Sequence, residues 1–322
     1  MRTAMKVWLI IAAVLFGIGV ILMAGALLSY SINPVSFKTA DYETTTFDFQ
    51  EDAIRNISID TKTADLYIVP SEDDLCHVVA FDRTNMKYSA WVEGDTLHIL
   101  GEMGQNWKDF LPFNFESSRV TISLPKSEYK KLTITETTGA IQLSESFTFE
   151  TVDVSVTTGE VMLLANTTDF ASIRATTGSV HVQDVSVGNL EVSVSTGNVL
   201  VSNVTCSGKI GIKVTTGDAQ IHDTTCRRLL SDGSTGDISL ANVLIQEELT
   251  LMRSTGDIRL KDSDAATISI ETSTGDVIGS LLSGKSFLAN TDTGSVRVPA
   301  STSGGRCEIS TNTGDIDITV VQ

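Results

Sequence analysis

A Thr-Gly pair recurs along the C-terminal two-thirds of the chain. Its glycines are Gly139, Gly159, Gly178, Gly197, Gly217, Gly236, Gly256, Gly275, Gly294 and Gly314, each 19 or 20 residues after the one before. A fixed period in this range is a repeat architecture, in which no single unit can bury its apolar face alone. Aligned on the glycine, four columns are apolar. The column seven residues before it runs from Leu132 to Cys307, and the column five before it departs only at Ser231. The columns two and four after it run from Ile141 to Ile316 and from Leu143 to Ile318. Polar residues such as Thr135, Ser155, Arg174 and Lys213 fall between them.

This is period-two alternation on both sides of each glycine, the pattern of a strand with one buried face. Each rung therefore reads as a short strand, a Thr-Gly turn, a second short strand and a variable return loop. Glycine at the turn implies a positive φ that other residues adopt at a cost. Stacking such rungs at ~4.8 Å makes a continuous narrow core. The fold expected is all-β: a parallel β-solenoid of about ten rungs of 19–20 residues, roughly 45–50 Å long by that spacing. An antiparallel meander is the alternative. It would reverse alternate strands and give identical columns less reason to persist.

The repeat also disposes of a tempting motif. Asp292-Thr293-Gly294-Ser295 has the form of the aspartic-protease loop. It is one rung of a ladder whose other rungs read TTGE, STGD or NTGD, and a solenoid supplies no facing lobe with a second catalytic Asp.

Upstream, Ile57, Ile59, Leu66 and Ile68 fit the same four columns if Ala64 replaces the glycine. The segment between this degenerate rung and Gly139 includes HVVAF (77–81), YSAWV (88–92) and TLHIL (96–100), and an aromatic loop with Trp107, Phe110, Phe113 and Phe115. It is expected to cap the first rung. At the other end the rung of Gly314 is expected to be the open one, with Asp315 and Asp317 as charges against end-to-end stacking.

Residues 7–28 are uninterruptedly apolar. At ~1.5 Å per residue this stretch reaches the ~30 Å of a bilayer core. Arg2 and Lys6 precede it and the next basic residue is Lys38, which puts the N-terminus in the cytoplasm and the rest outside the membrane. A single N-terminal transmembrane helix is expected; a cleaved signal peptide ending near Ala24-Gly25-Ala26 is the alternative. The expected divisions are 1–30 for tail and anchor, 31–50 for a linker, 51–130 for the degenerate rung and β cap, and 131–322 for the repeat.

The segment RVTISLPKSEYKKLTITETTGAI (119–141), followed by the TTG and STGD rungs, resembles a bacterial β-strand-repeat family of unknown function often labelled "putative adhesin". The resemblance covers residues ~50 to 322. It implies a cell-envelope location, commonly in Gram-positive bacteria and sometimes beside envelope-stress operons, and it implies no catalytic residues.

The residues themselves offer little chemistry. His77, His98, His181 and His222 share no column, and no Ser or Cys has an evident base partner. No cofactor is expected. A net charge of −17 argues against nucleic acid as a partner. Asp218, Asp237, Asp257 and Asp276 follow four successive glycines. Such a row is either turn chemistry, with Asp accepting backbone N–H bonds, or a row for a divalent cation. Cys206 and Cys226 each lie nine residues after their glycine in consecutive rungs, within stacking reach of a disulfide; Cys76 and Cys307 fall at opposite ends. The function expected is a membrane-anchored, extracytoplasmic, non-catalytic protein that binds a glycan or envelope protein or acts as an envelope scaffold. The alternatives are a glycan-active enzyme on a β-helix and an envelope-stress sensor acting through a membrane partner.

Overall fold

The computed structural model describes residues 16–17, 19–20, 42–50, 54–73, 75–83, 86–103, 118–300 and 303–321. It divides into two units, Met1–Asp41 and Tyr42–Gln322. Of the expected membrane segment only residues 16–17 and 19–20 are among those described, and they are helical. No helix of the described residues is long and apolar enough to cross a membrane. The loop aromatics Trp107, Phe110, Phe113 and Phe115 lie outside the described residues.

The unit Tyr42–Gln322 is a parallel β-solenoid, and its columns are those of the sequence. Leu132 registers on Val152, Val152 on Ala171, Ala171 on Leu190 and Leu190 on Ile210, all buried. The column two after the glycine does the same through Ile141, Val161, Val180 and Val199. All ten glycines have positive φ, from 118° to 158°. The turn also demands small size. A Cβ on Gly197 would lie 1.9 Å from the carbonyl oxygen of Gly178 in the rung below. Conformation and close approach therefore both select glycine.

In the central rungs the return is a third strand rather than a loop. Six residues after the glycine stand Asp184, Asn203, Asp223, Asn242 and Asp262, all with φ between 48° and 57°. Asp and Asn are the non-glycine residues best suited to that left-handed corner. Beyond the corner the chain resumes parallel pairing, Val185 on Val204, and Val185, Val187, Val204 and Cys206 turn inward and are buried. Acid and amide alternate along the corner, so that Asn203 donates to Asp184 (2.6 Å) and Asn242 to Asp223 (3.0 Å) instead of like charges facing each other.

At the N-terminal end the degenerate rung sits where expected. Ile57 registers on Leu132, Thr63 on Thr138 and Leu66 on Ile141. The inserted segment first extends the solenoid: Thr96–Met103 and Ser118–Leu124 both run parallel to Asn56–Pro70. Only beyond them does the cap turn antiparallel, with Met86–Glu93 on Thr96–Met103, Leu75–Arg83 on Ser118–Leu124, and Tyr42–Gln50 on Leu75–Arg83.

The C-terminal end corrects the expectation. Ile270 registers on Ile309 and Val277 on Ile316, while Ala289 registers on Ile309 and Val296 on Ile316. The rung of Gly314 is therefore inserted between those of Gly275 and Gly294, and the outermost rung is that of Gly294. Asp315 and Asp317 are not at the open edge. Because the two rungs share the same columns, either order would stack, and three features favour the one found. First, the residue after each glycine accepts the backbone N–H of its counterpart in the next rung. Asp276 accepts from Asp315 (2.8 Å), and Asp315 accepts from the amide of Ser295 (2.7 Å) and from its hydroxyl (2.9 Å). Serine in last place has no amide left to serve, whereas Asp315 there would lack one. Second, Lys285 reaches Asp264 (2.6 Å) across the intervening rung, where its register partner is Gly305, with no side chain in the way. Third, Gly279 leaves room in its column opposite Ile318, a larger side chain than the Val298 of the alternative order.

Candidate functional site

The acidic row is assembled as the spacing implies. Each of Asp218, Asp237 and Asp257 accepts the amide of the next Asp at 2.8 to 2.9 Å. Arg259 forks between the free oxygens of Asp237 and Asp257. Burial opposes ionisation of Asp237, but hydrogen bonds from Arg259 and from the Asp257 amide outweigh it and hold the carboxyl below its ordinary range. The row thus ties turn to turn, with the amides and Arg259 offsetting repulsion between stacked carboxylates. Among the described residues no group of three or more His, Cys, Asp or Glu side chains is placed to hold a metal ion.

All four cysteines are buried, and none is joined in a disulfide. Thr205 registers on Thr225, so Cys206 and Cys226 follow at equivalent positions of adjacent rungs. The Cys206 thiol donates to the carbonyl of Gly188 at 3.3 Å. Burial, then the neighbouring Cys206, push the Cys226 thiol up to about 12, which leaves little thiolate to react. The histidines stand in four separate places: His77 between Asp48 (2.6 Å) and Asp73 (3.0 Å), His98 stacked on Trp91, His181 facing Glu160 (3.6 Å) and His222 beside Asp223 (3.0 Å).

One buried cation underlies the acidic row. Arg253 is 4% exposed and donates through Nη1 to the carbonyl of Val214 at 2.8 Å, passing over Gly233. A Cβ on Gly233 would lie 1.6 Å from that nitrogen, so glycine here makes the space the guanidinium occupies. Burial pulls the guanidinium's pKa down, and the charges of Asp232, Asp218 and Asp237 work against it.

The feature most like a binding site does not stand out in the sequence. It is a groove of about 240 Å³ on the outward face of the strand that precedes the glycine turn. It crosses the rungs of Gly178, Gly197, Gly217 and Gly236, about 14 Å at the spacing of parallel strands. Its floor is Gly211. Six residues before the turn, the neighbouring rungs carry Ser172, Glu191 and Leu230 in register with it, so the missing side chain leaves a depression. Arg174, Ser193, Lys213 and Asp232 form the wall four residues before the turn, and Lys209 closes one end. The Lys209 ammonium leans over the floor, 3.8 Å from where a Gly211 Cβ would stand. Arg174 is paired with Asp153 (2.9 Å), whereas Lys209 and Lys213 have no ion-pair partner among the described residues. A second depression of about 220 Å³ adjoins it, sharing Lys209 and Leu230 and adding Arg228, Glu248 and Thr250. The available signal is a gap in an outward column, which the inward columns do not reveal.

The sequence model of the family described as Toastrack DUF4097 matches residues 54–241 and 208–322. No curated protein matches the chain. Among solved structures, it is similar to a "putative adhesin" from Bacteroides fragilis at 13% identity, over 86% of this chain and 97% of that one, with a TM-score of 0.39. It is similar to a "putative adhesin" from Parabacteroides distasonis at 12% identity, over 86% and 98%, with a TM-score of 0.43. A "putative lipid binding protein" from the same species is 16% identical over 74% and 95%, with a TM-score of 0.41. At such identities and scores the likeness bears on neither ligand nor activity. The two family matches together span residues 54–322, and the chain belongs to the Toastrack DUF4097 family.

Proposed function

We propose that this chain is a non-catalytic binding module of the cell envelope, held in a membrane by residues 7–28 and presenting its solenoid outside the cytoplasm to an extended ligand. The observation that carries the binding reading is the groove. It crosses four rungs, its floor is open at Gly211, and two of its cations are unpaired. A groove running across stacked rungs suits a linear polymer, which can make the same contacts rung after rung. The anchor rests on the apolar run 7–28 behind Arg2 and Lys6. In an oxidising compartment Cys206 and Cys226 would also be close enough to form a rung-to-rung disulfide. Mass mapping of non-reduced peptides from exported protein tests the bond.

A photo-crosslinking residue at Ser193 in intact cells tests the binding site. The expected result is an adduct that Gly211→Trp abolishes while the chain remains folded. Equal adduct from Ser269, on the same face but beyond the groove, would contradict it. Protease added to wall-stripped cells tests the topology: it should degrade residues 31–322, and full protection would overturn the orientation.

A further inference from the structure

Resting on that reading, we infer that the ligand of the groove is a polyanion, a polymer carrying regularly repeated carboxylate or phosphodiester groups together with hydroxyls. Most solenoid cations are already neutralised by the protein. Arg227 and Arg228 face Glu247, Arg259 holds two aspartates, Lys285 is on Asp264, and Arg297 faces Asp317. Lys209 and Lys213 are not, although the chain carries a net −17 and carboxylates are plentiful. They flank Gly211 on one strand, Lys209–Thr216, four residues apart and on the same face. Along an extended strand this spacing is about 13 Å, and the Lys209 side chain leans over the floor between the two positions. Two ammonium groups without an ion pair, on either side of an open floor, are placed to meet the anions of a ligand.

The rest of the lining specifies the remainder of the ligand. Glu191 and Asp232 are acceptors beside the cations, and Ser193 both donates and accepts, which suits hydroxyl groups. The groove has no aromatic side chain, so a neutral sugar would have no ring to stack on, and charge must supply the hold. The net charge of −17 opposes indiscriminate binding of polyanions, so a local cluster of free cations is needed to hold one.

The test uses the full-length chain with three probes: polygalacturonate for carboxylates, a poly(glycerol phosphate) for phosphodiesters, and uncharged dextran. Two charge-reversed variants with the same net change are compared, Lys209→Glu/Lys213→Glu in the groove and Lys130→Glu/Lys131→Glu outside it. At least one polyanion should bind, and the groove variant should weaken it by roughly tenfold or more while the control variant stays within about twofold. Circular dichroism should be unchanged in both. The polyanion that binds identifies the source of the charge. Equal weakening by both variants would overturn the inference, because it would mean that only overall charge matters. Binding of dextran that Gly211→Trp blocks and the groove charges do not affect would overturn the polyanion and leave the groove as a binding site. Binding of none of the three overturns the polyanion inference, and the Ser193 crosslink then judges the groove separately.

Discussion

At its N-terminal end the stack finishes beneath antiparallel strands, whereas at its C-terminal end the outermost rung is paired, among the described residues, on one side only. The first end follows the general strategy of covering an edge. Ile57, Ile59, Leu66 and Ile68 beneath the cap are at most 1% exposed. At the other end Phe287 and Ala289 are only half-buried, while Leu288 is 62% exposed and Val296 41%. The difference shows that the two ends of the described stack are held in different ways. One end is covered by inserted chain. At the other, an amide-accepting ladder stops at Ser295, and an ion pair reaches back across Gly305. The same substitution should therefore cost most in the middle of the stack and least in the outermost rung.

The largest effect should come from the turn glycines. Gly197→Ala puts a Cβ into the carbonyl of Gly178 at a positive φ, inside a rung held from both sides. A loss of about 3 kcal/mol or more is expected, in line with backbone strain and overpacking. At Gly294 a Cβ would meet the carbonyl of Gly314 at 2.1 Å, but that rung is free to lift, and about 1 kcal/mol is expected. Urea unfolding of both variants measures the contrast. Equal losses would mean that the outermost rung is held as firmly as the centre.

Buried charge should give the next largest effect. Val192→Asp, at a side chain 2% exposed, should cost several kcal/mol. Ser193→Asp, one residue away on the outward face, should stay within about 0.5 kcal/mol. Ala289→Asp in the outermost rung should fall between them. If Val192 and Ser193 proved equally sensitive, the assignment of inward and outward columns would be wrong.

These columns were legible because two periods, two and about twenty, coincide in the same residues, and only parallel stacking satisfies both. The corner six residues after the glycine was equally periodic, as Asp184, Asn203, Asp223, Asn242 and Asp262 show, but Asp and Asn in a polar stretch carry no hydrophobic signal. The order of the last two rungs could not be found by column matching at all. Phe287 and Cys307, or Ala289 and Ile309, satisfy the same columns in either order. What separates them is Gly305 beneath Lys285 and Ser295 against Asp315, pairs 20 residues apart like any other register pair, so their spacing marks neither order. The groove was hidden for a related reason. Gly211 is informative only when Glu191 and Leu230 are known to flank it across the sheet.

The lock on the exchanged order gives a smaller effect. Lys285→Met leaves Asp264 without its partner in a half-buried place, and a loss of about 1–3 kcal/mol is expected. Adding Asp264→Leu should restore most of it, as apolar replacements of buried pairs commonly do. No recovery in the double variant would show that the pair acts through something other than its charges.

The smallest effect belongs to the capped end. Hydrogen bonds to Asp48 and then Asp73 raise the pKa of His77, with burial opposing them. Asp48 lies on Tyr42–Gln50, so protonated His77 helps hold that outer strand to Leu75–Arg83. For a raised histidine pKa the contribution is complete below the unfolded value of about 6.5 and fades as pH rises through the higher folded value. Hydrogen exchange in Tyr42–Gln50, corrected for intrinsic rates, should therefore quicken above that range, and His77→Gln should remove the pH dependence. A strand equally protected across the range would rule the contact out as a contributor.

The order of the last rungs bears most directly on how this stack is built and ended. It can be tested with two pairs of outward cysteines. Glu271 registers on Ser310, and Asn290 registers on Ser310 from the other side. In the structure Glu271→Cys and Ser310→Cys are neighbours at the ~4.8 Å spacing of adjacent strands, inside the window for a disulfide, whereas Glu271→Cys and Asn290→Cys are two rungs apart, about 9.6 Å. Mild oxidation should join the first pair quickly and leave the second unjoined. The reverse result, with the Glu271→Cys/Asn290→Cys variant joining rapidly and the Glu271→Cys/Ser310→Cys variant staying reduced, would place the rung of Gly294 directly on that of Gly275 and contradict the account.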